Sequence, residues 1–247
     1  MNILAIDTAT SLFSAAVSSP AGVFQFETDT GPKHSEILLE SLDYLVRVSG
    51  LEAKDLGLVA CMQGPGSFTG VRIGFAAAKG MALALGIPFV AAPTLDCIAA
   101  PAAVWPGLVI PAIDAKQKRF FAAVYRQNKR LTDFMDADAG EIARAVLAAG
   151  QGRAEKNAAL VTGPDSALLA PLLAGILGEN RIVRDPASRR GNSRELLEFS
   201  RKKYILIEKG GVSFEEPAPV YLRKSDAEIN YSAIKRDTRP LNKISGK

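Results

Sequence analysis

The 247-residue sequence predicts an α/β protein of two duplicated lobes, each a mixed sheet with an antiparallel meander and packed helices. Three observations carry this. Short apolar runs separated by turn residues open each half of the chain, amphipathic helical stretches follow them, and a twelve-residue segment near the start recurs near the middle.

Ile3 to Asp7, Phe13 to Ser18 and Val23 to Thr28 read as three strands of a meander, with Ser18-Ser19-Pro20-Ala21-Gly22 as the turn between the second and third. From His34 to Ser49, apolar residues at 37, 38, 39, 42, 45, 46 and 48 alternate with Glu36, Glu40, Asp43 and Arg47 until Gly50, which predicts an amphipathic helix. Leu58 to Met62 is a buried strand. A second helix runs from about Thr69 to Leu85, where Gly86-Ile87-Pro88 closes it, and Pro88 to Ala92 resumes as strand. Along this helix Gly70, Gly74, Ala78 and Ala82 form one small-residue stripe and Ala76, Gly80 and Ala84 another. Such stripes let a second backbone approach, and the apolar residues around the rest of the helix require burial on more than one side, by the core or by a partner.

Gln63 to Gly74, between that strand and that helix, reads Gln-Gly-Pro-Gly-Ser-Phe-Thr-Gly-Val-Arg-Ile-Gly. Gly64 and Gly66 permit backbone angles closed to other residues, Ser67 or Thr69 can cap the helix, and a helix start with free N–H groups attracts anions. A tight turn explains the glycines equally well, and the spacing is neither the dinucleotide fingerprint nor a Walker loop.

The segment Ile6-Asp7-Thr8-Ala9-Thr10-Ser11-Leu12-Phe13-Ser14-Ala15-Ala16-Val17 returns at Ile113 to Val124 with six of twelve residues identical. Gly64-Pro65-Gly66-Ser67 likewise returns as Gly163-Pro164-Asp165-Ser166 after a strand at Ala158 to Thr162. The second half is therefore expected to hold strands at 108–114, 119–126 and 129–135, a helix at 137–149 and another at 165–177. The lobes fall at residues 1–105 and 106–223, and 224–247 remain as a basic tail.

The formal charge of +4 bears on partners. Six basic and three acidic residues lie in 224–247, so the tail carries +3 of it and reads as a solvated extension, with RNA contact as the alternative. No run approaches the roughly 20 apolar residues of a membrane span, and the chain enters its first strand directly after Met1-Asn2, which predicts a cytoplasmic protein. Cys61 and Cys97 lack metal or disulfide spacing and read as small core residues. The single histidine, His34, reads as a helix-start surface residue or cap partner in preference to a ligand, and no metal site is expected.

Duplicated lobes with an aspartate ending the first strand of each resemble the actin, Hsp70 and sugar-kinase superfamily, in which the two aspartates face an interlobe cleft and glycine turns hold phosphate and Mg²⁺. Asp7, Thr8, Ser67, Thr69 and Asp114 are then the candidate anion or nucleotide groups. The corresponding turns are Asp7-Thr8-Ala9-Thr10 and Asp114-Ala115-Lys116-Gln117, without glycine, so ATP hydrolysis by this chain alone is expected to be weak or absent.

Ile3 to Thr10, His34 to Leu39, Gln63 to Gly74, Ala78-Lys79-Gly80 and Pro219-Val220-Tyr221-Leu222-Arg223 together resemble the TsaB family of bacterial tRNA threonylcarbamoyladenosine biosynthesis proteins. The resemblance implies a non-catalytic subunit pairing with the catalytic TsaD, which transfers threonylcarbamoyl to adenosine 37 of tRNAs reading codons that begin with A, and with the ATPase TsaE. It implies no cofactor for the isolated chain, with nucleotide at a complex interface left open, a homodimer in the absence of TsaD, and tRNA bound through the complex. It also implies a helical-bundle contact through the first two helices, for which Leu38, Leu42, Leu45, Phe75, Met81 and Leu85 are the candidates. The alternative is an ATP-dependent small-molecule kinase or ATPase of the same superfamily, using Asp7 and Asp114 around Mg²⁺.

Overall fold

Strand β1 (Ile3–Asp7) is buried along its whole length, and its side chains alternate between two cores. Leu4 and Ile6 face one helical layer while Ile3 and Ala5 face another, which is why the strand is a continuous apolar run and not an alternating one. The computed structural model describes residues 1–29, 31, 33–150, 157–210 and 217–223. The predicted basic tail lies outside these.

The first lobe continues with β2 (Leu12–Ser19), β3 (Gly22–Asp29), α1 (His34–Val48), β4 (Leu58–Met62), α2 (Phe68–Leu85) and β5 (Phe89–Ala92). Its sheet runs β3-β2-β1-β4-β5, antiparallel through the meander and parallel across β1, β4 and β5. Helix α2 is 18 residues long and apolar enough by composition to cross a bilayer. Here it lies on the sheet, with Gly70, Val71, Gly74, Phe75, Ala78 and Ala82 buried.

Helix α3 (Thr94–Ala99) joins the lobes: Cys97 packs with the first sheet, and Leu95, Ile98 and Ala99 pack with the second. The second lobe holds β6 (Val109–Lys116), β7 (Arg119–Ala122), β8 (Tyr125–Arg126), β9 (Lys129–Arg130), β10 (Met135–Ala137), α4 (Ala139–Gly150), β11 (Ala159–Thr162), α5 (Ser166–Leu177) and β12 (Ile182–Arg184). Its sheet runs β10-β7-β6-β11-β12, with β8 and β9 as a side branch on β6.

The duplicated α/β plan is thus present, with three differences from expectation. The predicted strands at 119–126 and 129–135 each split in two, and at the first break the Val124 N–H donates to Thr132 Oγ1 (3.0 Å). Helix α3 occupies a stretch to which the sequence assigns no element. Helix α6 (Ser193–Glu208) was not foreseen, and it leaves the second half of the chain to cover the outer face of the first sheet, burying Leu196 and Leu197 against Ile3, Ala5, Leu58 and Ala60. The first lobe therefore includes chain from beyond residue 105.

Both cysteines are buried and free, and burial pushes their thiols upward in pKa, as small core residues require.

Candidate functional site

A cleft of about 770 Å³ lies between the lobes. Thr10, Ser67, Thr69 and Arg72 wall it on one side, Asp114, Lys116 and Asp165 on the other, and Val220 to Arg223 cross its edge. Three of the candidate anion groups, Ser67, Thr69 and Asp114, line this space, whereas Asp7 and Thr8 are buried away from it.

Helix α2 begins where Ser67 caps it, its Oγ accepting the Gly70 N–H at 3.2 Å. The Ser67 N–H in turn donates to the Ala9 carbonyl at 2.7 Å. A Cβ on Gly66 would collide with that same carbonyl oxygen, one on Gly70 with the Thr8 carbonyl oxygen, and one on Gly74 with Thr8 Oγ1. Thr8 Oγ1 donates to the Gly70 carbonyl at 2.7 Å. The glycines of this motif are therefore the seat of the β1–β2 turn, so of the two burials left open for the helix, by the core or by a partner, Gly70 and Gly74 take the first.

The second lobe repeats the plan with one change. Gly163 has the same left-handed backbone as Gly64, φ +96° against +98°. At its tip, however, β6 runs on to Lys116 and pairs it with Arg119, closing a tight hairpin in which Lys116, Gln117 and Lys118 all have positive φ. Asp165, standing where the first lobe has Gly66, reaches across to accept the Asp114 N–H at 2.8 Å. Burial raises the Asp165 carboxyl, against the pull of that bond.

Three amides of the two aspartate turns are engaged by side chains of those turns. The Ala9 N–H donates to Asp7 Oδ1 (3.1 Å), the Leu12 N–H to Thr10 Oγ1 (3.3 Å) and the Lys116 N–H to Asp114 Oδ1 (2.8 Å). Lys116 Nζ folds back onto Asp114 Oδ2 at 2.8 Å, a pair open to solvent on the lysine side and worth little energetically. Arg119 is likewise an ion-pair residue, with Asp136 at 2.8 Å and Glu141 at 3.3 Å. These residues do not fit a magnesium nucleotide in the manner that the superfamily resemblance implies.

Asp7 has a different occupation. Fully buried, it accepts the Ala9 N–H and, at 3.2 Å through Oδ2, the Asn192 N–H at the start of α6. Burial pushes its carboxyl from 3.8 up to about 6, with the Ala9 and Asn192 hydrogen bonds opposing. Because the folded protein holds this proton to higher pH than the unfolded chain, the contribution to stability is full below about pH 4 and is lost as pH rises through about 6. The difference between 3.8 and about 6 corresponds to about 3 kcal/mol. Between pH 4.5 and 7.5 the unfolding free energy of the wild type is expected to fall by about 2 kcal/mol relative to Asp7→Asn, the part of that difference that lies within the window, measured from urea midpoints; parallel pH profiles would refute it.

His34 is 3% exposed, and its Nε2–H donates to the Thr10 carbonyl at 2.7 Å, so the expected surface or capping role is corrected to a buried support of the β1–β2 turn. The residues nominated for the helical-bundle contact face inward. Leu38, Leu42, Leu45 and Phe75 are buried in the first core, and Met81 and Leu85 pack half-buried against it, because their helical spacing turns them to the sheet. What α1 and α2 present outward is Leu39, Tyr44 and Val48 on one helix and Ala76, Gly80, Leu83 and Ala84 on the other.

The sequence reading also missed Phe68, Arg72, Tyr221 and Arg223 as a group. Tyr221 packs on Phe68 (4.9 Å between centroids), the Arg72 guanidinium covers Phe68 at 3.7 Å and donates through Nε to the Tyr221 hydroxyl at 3.1 Å, and Arg223 donates to the Ala115 carbonyl at 3.0 Å. The signal available was the Tyr221-Leu222-Arg223 run, whose partners lie more than 100 residues away and cannot be read locally.

Residues 28–231 match the family model for TsaD, tRNA N6-adenosine threonylcarbamoyltransferase. The chain belongs to this family, in its TsaB/YeaZ branch. Within that branch it is 27% identical over 232 residues to the tRNA threonylcarbamoyladenosine biosynthesis protein TsaB of Bacillus subtilis, spanning 94% of this chain and 98% of that one. It is 35% identical over 131 residues to TsaB of Escherichia coli, an alignment spanning 52% of this chain and 57% of the relative. Among solved structures it superposes with a TM-score of 0.71 and 24% identity on a Pseudomonas aeruginosa protein described as similar to peptidase YeaZ, covering 90% of this chain and 99% of the other. That likeness confirms the fold of the YeaZ branch.

Proposed function

We propose that the chain acts in forming N6-threonylcarbamoyladenosine at position 37 of tRNAs reading codons that begin with A, as a non-catalytic subunit. It pairs through the outer faces of α1 and α2 with a TsaD-type transferase, is joined by a TsaE-type ATPase, and meets tRNA through that assembly in the cytoplasm. Alone, it pairs with a second copy through the same faces. The observation that carries this reading is that the two superfamily aspartates are otherwise engaged: Asp7 is buried away from the cleft under α6, where it accepts the Ala9 and Asn192 N–H groups, and Asp114 holds the Lys116 amide. The full-length likeness to a Bacillus subtilis biosynthesis protein supports the pathway.

The kinase or ATPase alternative needs Asp7 and Asp114 turned into the cleft around Mg²⁺. Titrating the isolated chain with MgATP by calorimetry, followed by a phosphate-release assay, separates the two. The subunit reading expects no multiple turnover. Micromolar binding with sustained phosphate release would favour the enzyme.

A further inference from the structure

The described C-terminal segment, residues 217–223, lies across the mouth of the interlobe cleft, and its contacts divide between the two lobes. On the first lobe, the Val220 N–H donates to the Gln63 carbonyl at 2.6 Å. Gly64 makes that approach possible, since a Cβ there would stand 2.6 Å from the Val220 carbonyl oxygen. Tyr221 then lies on Phe68 and accepts the Arg72 Nε–H. Two residues further on, Arg223 donates to the Ala115 carbonyl in β6, on the second lobe.

We propose that Val220 to Arg223 form a latch that holds the two lobes together across the cleft, and that its release opens the cleft and uncovers the Phe68 ring. The attachment has the character of a segment that opens ahead of the core. Its contacts include one backbone bond, one hydroxyl bond, a guanidinium bond and a stacked ring that is itself 42% exposed, and none of residues 220–223 belongs to a buried apolar cluster among the described residues. Each of its two ends is tied to the residues that shape one wall: Gln63 to Arg72 lead into and begin α2, and Ala115 lies in the tip of the β6–β7 hairpin. Cleft opening and strap release are therefore one event, and any partner or modification that engages the strap sets the access to the cleft.

Hydrogen exchange by mass spectrometry on the full chain tests this. Arg223→Ala and Tyr221→Ala are each expected to speed exchange about tenfold or more in peptides covering 64–72 and 113–119, on both sides of the cleft, while peptides of β4 and α5 keep wild-type rates. Tyr221→Phe, which removes one oxygen and leaves the ring, gives a smaller increase in the same two peptides, and Arg223→Lys, which keeps a donor, stays near wild type. Faster exchange confined to 217–223 overturns the proposal. So does an increase spread through β4 and β11, because the segment would then be a part of the core and not a latch.

Discussion

Gly70→Ala is expected to lower the unfolding free energy by about 2 kcal/mol or more, even though alanine is the better helix former by roughly 1 kcal/mol. The new methyl group would meet the Thr8 carbonyl oxygen, a backbone atom fixed by the β1–β2 turn, and could be accommodated only by moving α2 off the sheet. That shift would also strain the 2.7 Å bond from Thr8 Oγ1 to the Gly70 carbonyl. Gly80, ten residues along the same helix, has nothing within 4 Å of a built Cβ, so Gly80→Ala is expected to stabilise by about 0.5–1 kcal/mol. Urea midpoints of the two variants measure the contrast. Equal effects would mean that Gly70 is not a seat for the turn.

The second large effect concerns association. Leu83 is 73% exposed and stands beside Ala76, Gly80 and Ala84 on the outer face of α2. The small residues let another helix approach closely, and a leucine among them supplies an apolar anchor. Gly80→Glu with Leu83→Glu places two carboxylates on that face without touching the core. The pair is expected to weaken binding to a TsaD-type transferase by about 30-fold or more, with an unchanged circular dichroism spectrum; a 2 kcal/mol hot-spot loss corresponds to about that factor. Leu42→Glu is a poor substitute, because Leu42 is only 2% exposed and the charge would be buried without a partner. Undiminished co-purification of the Gly80/Leu83 variant would move the interface elsewhere.

Much of the fold was legible because its signals are local. β4 coincides with its predicted span, α1 and α2 differ from theirs by a residue, and each has a glycine stop that the chain displays openly. Helix α6 was not legible. Only Leu196, Leu197 and two serines form its buried side, and the sheet that they cover is built from residues almost 200 positions earlier. Helix α3 is six residues and too short to show a period.

The candidate site divides in the same way. The repeat in the sequence places Asp7 and Asp114 at matched strand ends; β1 does end at Asp7, whereas β6 runs on past Asp114 to Lys116. That Asp7 is sealed beneath α6, while Asp114 faces the cleft and holds Lys116, depends on a helix that local pattern does not reveal. The glycines at 66, 70 and 74 show in the sequence only that a side chain is excluded. Whether a phosphate, a partner helix or a neighbouring turn stands opposite is decided by tertiary packing, and here it is the Thr8-Ala9 turn.

The proposed role is that of a chain that completes another protein and does no chemistry by itself. Native mass spectrometry of the full chain mixed with a TsaD-type transferase from the same source tests that most directly. A one-to-one complex is the predicted result. Two separate masses at micromolar concentration, with each protein folded, would contradict it.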